Sequence, residues 1–388
     1  MPQVDSLRTR VRSEAERTFG RAYDLSHRIH EHPELGFEEH RASAWLAEDL
    51  EALGFEVTRG VAGLETALVA ERGSGQLTVA ICAEYDALPV VGHACGHNVI
   101  AGAALLAAAC LAEIADDIGV TVRLVGTPAE EGGGGKILLL DGGAFTGANI
   151  AMMLHPAPVE ADRMVCQAAA HLRVRYEGKE SHAAAAPELG INALDALTIA
   201  QVAIGLLRQH TLPEDRIHGI VTHGGDAPNI VPALSEGHYL VRAATMRDLA
   251  TLRPRVEACF QAGALATGAQ LAIEELSPTY AELVTDEELA LLWRDEAVRA
   301  GRVLDTSATP MMASTDMGNV SLEVPTIHPT VDINTRGAVN HQPAFTEAAR
   351  SADADRAMFE GAIAMALTTA RAALAPECRA RLLAHQCR

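Results

Sequence analysis

The sequence predicts an α/β domain interrupted by a smaller α+β domain. Three observations carry that expectation. Short apolar runs at 66–70, 77–82, 120–125 and 150–154 alternate with helical segments at 99–114 and 135–141, the pattern of a sheet covered by helices. Between 168 and 279 the order becomes strand–helix–strand–strand–helix–strand, as in a ferredoxin-like unit. Helical periodicity returns at 287–300 and 354–374. With 388 residues, the chain exceeds one ordinary core. We therefore expect an outer domain at 1–167 and 280–388 and an inserted domain at 168–279.

The elements follow in order. Residues 5–53 read as helix, with Leu7, Val11, Tyr23, Leu25, Trp45, Leu46, Leu50 and Leu53 at helical spacing and a break near His32-Pro33, where proline disfavours helix before it. Val99–Ala112 carries no charge and is rich in Ala and Gly, which predicts a tightly packed helix, shorter than the roughly 18–20 residues that span a bilayer. In the inserted domain, Ala169–Tyr176 alternates like a strand and Asn192–Gln209 is a helical run. Ile217–Thr222 and Glu236–Thr245 read as strands, Leu249–Gly268 as a helix and Gln270–Glu275 as the closing strand.

Apolar residues make up 48% and charged residues 21%, a globular balance. Lys plus Arg number 31 and Asp plus Glu 51, a net charge of −20. Nucleic acid and anionic membranes are thus poor candidates for the main partner. The seven cysteines (Cys82, Cys95, Cys110, Cys166, Cys259, Cys378 and Cys387) are scattered and odd in number, so reduced thiols in a cytosol are expected. Met1–Ser6 lacks an apolar core of the kind a signal peptide needs. We expect a cytoplasmic protein with no membrane segment.

The chemistry concentrates in a few loops. Gly92-His93-Ala94-Cys95-Gly96-His97-Asn98 follows one apolar strand and Thr127-Pro128-Ala129-Glu130-Glu131 another. His155 closes the strand at 150–154, and His341 lies in Asn340-His341-Gln342-Pro343. Thiolate, imidazole and carboxylate are the groups that bind first-row metals and activate water. Each also has a plainer reading. Cys95 and His97 alone fit a buried thiol beside a structural imidazole, and Glu130-Glu131 alone fits a solvated acidic face. Joint placement after apolar strands favours a two-metal hydrolytic site, with one carboxylate binding metal and its neighbour acting as general base. The glycines at 132–135 do not make a phosphate loop, because Glu130 and Ile137 stand where that loop needs Gly and Ser or Thr. His27, His30, His32 and His40 read as helix surface and helix end.

Taken together, these residues give a chain that resembles the M20 metallopeptidases and amidohydrolases, in the branch with a cysteine ligand. The matching runs are Ile29–Phe37, Glu84–Pro89, Gly92–Asn98, Thr127–Glu131, Leu154–Pro156, Gly178–Ala183 and Ser314–Val320. Glu84–Asn98 and Gly126–Pro156 look closest to the Xaa-Arg and β-alanyl-lysine dipeptidases and the p-aminobenzoyl-glutamate hydrolases. The resemblance implies a zinc-peptidase-like catalytic domain with a mixed sheet, and an inserted lid that pairs edge to edge in a homodimer. It implies two divalent ions, zinc or manganese, with cobalt as a third candidate. Cys95 would bridge them, and His97, Glu131, His155 and His341 would complete the ligands. Glu130 would be the general base, and His182 in the lid would stabilise the oxyanion. Asn229 and Arg242 would contact substrate, and Asp86 would orient a ligand. Glu84 stands where the aspartate-bridged branch has a histidine ligand, and is not carried over as one.

The expected activity is hydrolysis of an amide bond in a small substrate, a dipeptide ending in Arg or Lys. N-acyl-amino-acid or aroyl-glutamate hydrolysis is the alternative, and a catalytically silent binding relative is the third reading. Hinges near 167 and 280 would let the lid close.

Overall fold

A computed structural model describes residues 2–304, 312–385 and 387. Two helices open the chain, α1 (Pro2–Glu31) and α2 (His40–Ala52). Strands β1 (Glu56–Arg59), β2 (Leu68–Arg72) and β3 (Leu77–Glu84) follow, then helix α3 (His97–Ile118) and strand β4 (Val120–Thr127). Helix α4 (Gly135–Asp141) precedes β5 (Ile150–Met152), β6 (His155–Ala157) and the two-residue β7 (Val165–Cys166). Next come β8 (Ala168–Glu177), α5 (Ala193–Leu207), β9 (Arg216–His223), β10 (Leu234–Ala243), α6 (Met246–Thr267) and β11 (Gln270–Glu275). The remainder holds α7 (Glu287–Arg299), β12 (Met312–Ala313), α8 (Met317–Glu323), β13 (Thr326–Ile327) and β14 (Thr330–Asp332). It ends in α9 (Pro343–Ala348), α10 (Ala352–Leu374) and α11 (Pro376–Ala384).

The contacts divide the chain into two compact units. The first holds Met1–Val165, Leu283–Met312 and Asp316–Arg388; the second holds Cys166–Glu282 and Ala313–Thr315. The expected inserted segment was 168–279, so the division adds a short downstream piece. Its attachment is physical: Gln167 N–H donates to the Ala313 carbonyl at 2.9 Å, and Ser314 Oγ donates to the Gln167 carbonyl at 2.8 Å.

The first unit is built on a six-stranded sheet in the order β1-β2-β4-β3-β5-β13. β1, β2 and β4 pair antiparallel, whereas β4, β3, β5 and β13 run parallel, so the sheet is mixed. β3 and β4 are near-continuous apolar runs because both faces are covered. One face packs the cluster containing Leu25, Ile29, Leu105, Leu106 and Met358, with α3 against α1 and α10. The other packs Leu139, Phe145, Met317 and Val320. α3 is longer than expected, 22 residues, and its apolar stretch is 94% buried within the fold, as in a core helix. The register Glu84↔Thr127 ends β3 and β4 together. That shared carboxyl edge is where open α/β sheets place their sites.

The second unit is a four-stranded antiparallel sheet in the order β11-β8-β10-β9, with α5 and α6 packed on it. Its core holds Leu172, Val174, Tyr176, Leu197, Val256 and Phe260. Alternation in β8 and β10 places one set of side chains in that core, as the period of two requires.

Candidate metal centre

Four segments bring the first unit's predicted residues together: those after β3, β4 and β5, and the stretch before α9 that holds His341. Cys95, Glu131 and His341 form one group whose ligand atoms lie within 4.8 Å of one another. His97 and His155 form a second with Glu84, and His97, Glu130 and Glu131 a third. His341 Nε2 stands 3.7 Å from Glu131 Oε1, with its side chain 62% exposed, so this group opens to solvent. The second group is buried, with Glu84 at 0% and His97 at 1% exposure.

The local structure pins each imidazole. His97 Nδ1 lies 2.9 Å from the Asp86 carbonyl and 3.0 Å from Asp86 Oδ1. Both are acceptors, so Nδ1 carries the proton and Nε2 presents a lone pair. His155 does the same, with Nδ1 2.7 Å from the Pro156 carbonyl. Asp86 serves twice, since its Oδ2 also accepts from the Glu131 N–H at 3.0 Å. Asn98 anchors the start of α3 by donating to Ser26 Oγ at 3.0 Å and the Ala349 carbonyl at 2.9 Å.

The donor set fits divalent cations. Among the described residues, Glu84 Oε2, His97 Nε2 and Glu131 Oε1 are buried without a hydrogen-bond partner. Buried polar atoms are seldom left so. Glu84 Oε2 lies 3.2 Å from His97 Nε2. Two donors about 2.1 Å from a common ion and at right angles to each other stand about 3.0 Å apart. Burial works against charge on His97, but Asp86 and Glu84 outweigh it and raise its pKa well above the usual value. The same field attracts any cation at that nitrogen. Burial lowers His155 to about 4, which keeps it neutral, the state that ligates. Burial, then Glu131, pushes the Cys95 thiol up, so it becomes a thiolate only where a cation replaces its proton.

Glu130 is almost fully buried, and burial followed by Glu84, Glu131 and Asp316 raises its pKa well above the carboxylate range. The adjacent carboxylates diverge: Glu131 joins Cys95 and His341, while Glu130 also joins Glu84 and Asp316.

Four residues without an assigned role belong to the same neighbourhood: Lys136, Asp316, Glu84 and His328. Lys136 is fully buried, with Nζ 2.5 Å from Glu84 Oε1 and 2.7 Å from Asp316 Oδ1. The Lys136 N–H also donates to Asp316 Oδ2 at 2.8 Å. Burial disfavours the ammonium, yet Asp316 and Glu84 hold it charged. Glu84, which the resemblance does not carry over as a ligand, stands beside His97 and His155, with its other oxygen held by Lys136. Its position at the end of a buried strand was the available signal. His328 is also fully buried and near His155, with ring centroids 5.5 Å apart.

His182, Asn229 and Arg242 belong to the second unit. The Ala183 N–H donates to the Asn229 carbonyl at 3.0 Å, which ties the first two segments together. His182 Nδ1 accepts from the Ala184 and Ala185 N–H groups at 3.2 and 3.0 Å, so its proton sits on Nε2. Arg242 Nη1 donates to Ser314 Oγ at 3.1 Å, and burial lowers its pKa. His27 and His30 lie on α1, with Nε2 atoms 2.9 Å from Asp355 Oδ1 and 2.8 Å from the Thr346 carbonyl. They are structural, as expected for helix residues.

Buried imidazoles and carboxylates at the carboxyl edge of a mixed sheet define a metal-dependent hydrolase. The chain belongs to peptidase family M20/M25/M40, whose sequence profile it matches over residues 80–360. It is 39% identical over 383 residues to the Xaa-Arg dipeptidase of Mus musculus, covering 94% of this chain and 89% of that one. It is 37% identical over 374 residues to the Xaa-Arg dipeptidase of Homo sapiens, covering 91% and 86%. Its fold is similar to that of a dinuclear metal-binding M20 peptidase from Bacillus subtilis, with a TM-score of 0.66 at 21% identity over 90% of this chain and 98% of that one.

Proposed function

We propose that this protein is a dinuclear dipeptidase that removes a C-terminal Arg or Lys from a small substrate. The carrying observation is the pairing of Cys95, Glu131 and His341 with a buried His97–His155–Glu84 group, and Glu130 beside both. Likeness to an Xaa-Arg dipeptidase over nearly the whole chain supports the substrate class. When bound, the two ions would polarise the amide carbonyl and lower the pKa of water. Cys95, His97, Glu131, His155 and His341 would hold them, with Asp86 fixing the His97 tautomer and the Glu131 backbone. Glu130 would take the water proton on a carboxylate oxygen and return it to the leaving amine. His182, protonated at Nε2, has the donor that an oxyanion needs. Asn229 and Arg242 are assigned to substrate contact through the family resemblance.

Thiolate ligation favours zinc, whereas the surrounding carboxylates suit manganese; cobalt is the third candidate. A homodimer through the second unit is supported by exposed Val202 and Leu206 on α5 and Ile220 and Val221 on the edge strand β9. A cytoplasmic location fits seven cysteines that are all free of disulfides. The deciding assay is a panel of Xaa-Arg and Xaa-Lys dipeptides, N-acetyl amino acids and aroyl-glutamates, run with Zn, Mn and Co. Basic dipeptides should be turned over fastest. Preference for an aroyl-glutamate would replace this reading with the amidohydrolase alternative.

A further inference from the structure

We propose that Glu39 is a positioning residue that fixes the turn presenting Glu130 and Glu131. The inference rests on the roles assigned above to that pair. Glu39 immediately precedes α2 and occupies its N-cap position, yet its side chain makes no capping hydrogen bond. A short polar side chain such as Asp or Ser at that position ordinarily accepts from its own helix. Here Glu34 takes over, its carboxylate accepting from the Arg41 N–H at 3.0 Å and the Ala42 N–H at 3.0 Å. Glu39 is thereby released for another task. It is completely buried, which acids seldom are.

The Glu39 carboxylate reaches across to the site. Its Oε1 accepts from the Ala129 N–H at 2.8 Å, and its Oε2 from Thr66 Oγ1 at 2.8 Å. Ala129 has φ +55°, a conformation that a residue with a Cβ adopts only when its surroundings hold it there. Its carbonyl is held too, accepting from the Gly133 N–H at 3.1 Å. Packing closes the turn further: a Cβ at Gly133 would lie 2.6 Å from Ala129 Cβ and 2.7 Å from Phe37 Cε2. Two residues on, the Glu131 N–H donates to Asp86 at 3.0 Å, so the Glu130-Glu131 dipeptide hangs between two buried carboxylates. Asp86 grips the far side and Glu39 the near side. The helix-end segment that carries Glu39 also meets the other loops. The Ala87 N–H donates to the Glu34 carbonyl at 2.8 Å, and His93 Nε2 lies 3.1 Å from the Ile29 carbonyl.

The test compares wild type, Glu39→Ala, Glu39→Gln and Thr66→Val for kcat, KM, manganese affinity by calorimetry and Tm, using a dipeptide substrate. Gln keeps an oxygen for the Ala129 N–H and offers an amide to Thr66, so it should retain activity within about fivefold. Ala should lose on the order of 100-fold in kcat, the scale set by displacing a reacting group by about 1 Å, with KM less affected and manganese bound more weakly. A Glu39→Ala protein with normal kcat and affinity but a lower Tm would overturn the proposal, as would a Gln variant as damaged as Ala. If the Ala variant does not fold, Thr66→Val decides: lowered kcat at unchanged Tm supports the brace, and unchanged kcat rejects it. Weakened manganese binding in Glu39→Ala, beside a fully active Glu130→Gln, would instead keep the brace and remove the general-base assignment.

Discussion

At Glu130, replacing the carboxylate with its isosteric amide removes the proton acceptor and leaves the volume unchanged. Glu130→Gln should lower kcat by about 10²–10⁴ while metal content and KM stay near wild type, because the lost interaction belongs to the transition state. Steady-state kinetics with metal analysis by mass spectrometry checks this. Glu39 has a second signature, in stability. Burial, then the neighbouring Asp86, raises its pKa from 4.5 to about 7, and the buried Tyr85 hydroxyl is the other titratable neighbour. Between those values the folded chain binds more protons than the unfolded one, so this group's contribution to stability falls as pH rises from 4.5 to about 7. Melting curves across that range should show the decline in wild type and a flatter profile in Glu39→Gln.

Among the elements, α4 starts hard against the turn it follows. A Cβ at Gly135 would lie 1.8 Å from the Pro128 carbonyl oxygen, so helix and turn cannot both keep their places. Gly135→Ala should cost about 1–3 kcal/mol by overpacking, read from urea denaturation, and should lower activity because the shift reaches Glu130. Legibility in the sequence followed burial. β3, β4 and α3 stand out as apolar runs because both sides of them are covered. β1 did not stand out: it is four residues, Glu-Val-Thr-Arg, at the sheet's edge with mostly exposed side chains, and carries no pattern that distinguishes it from a loop. The residues of the site divide similarly. Cys95, His97, Glu131 and His155 lie shortly after the strands β3, β4 and β5, with His97 opening α3 and His155 opening β6, where chemistry is readable. Glu84, Lys136 and Asp316 form a buried ion triad whose members are distant along the chain, and only folding makes a lone Lys after four glycines the partner of two carboxylates. Glu39 stood inside a stretch read only as helix, and nothing in the sequence marks it as buried.

For the whole molecule, the prediction concerns assembly. An exposed apolar helix face and an exposed edge strand on one unit are costly to leave in water and prone to pairing. Leu206→Glu combined with Ile220→Glu should shift the protein from dimer to monomer in sedimentation velocity. A wild type that sediments as a monomer would remove the homodimer from the proposed function.

The order of residues along the polypeptide also sets an order of construction on the ribosome. Glu84, His97 and His155 all emerge before the second unit begins at Cys166, whereas His341 follows it. Asp316, the counter-ion that shares Lys136 with Glu84, is late as well. A growing chain therefore holds Glu84, His97 and His155 before the Cys95–Glu131–His341 group has its third member. A chain truncated between residues 155 and 341 would keep Glu84, His97 and His155 and lack the third member of the Cys95–Glu131–His341 group.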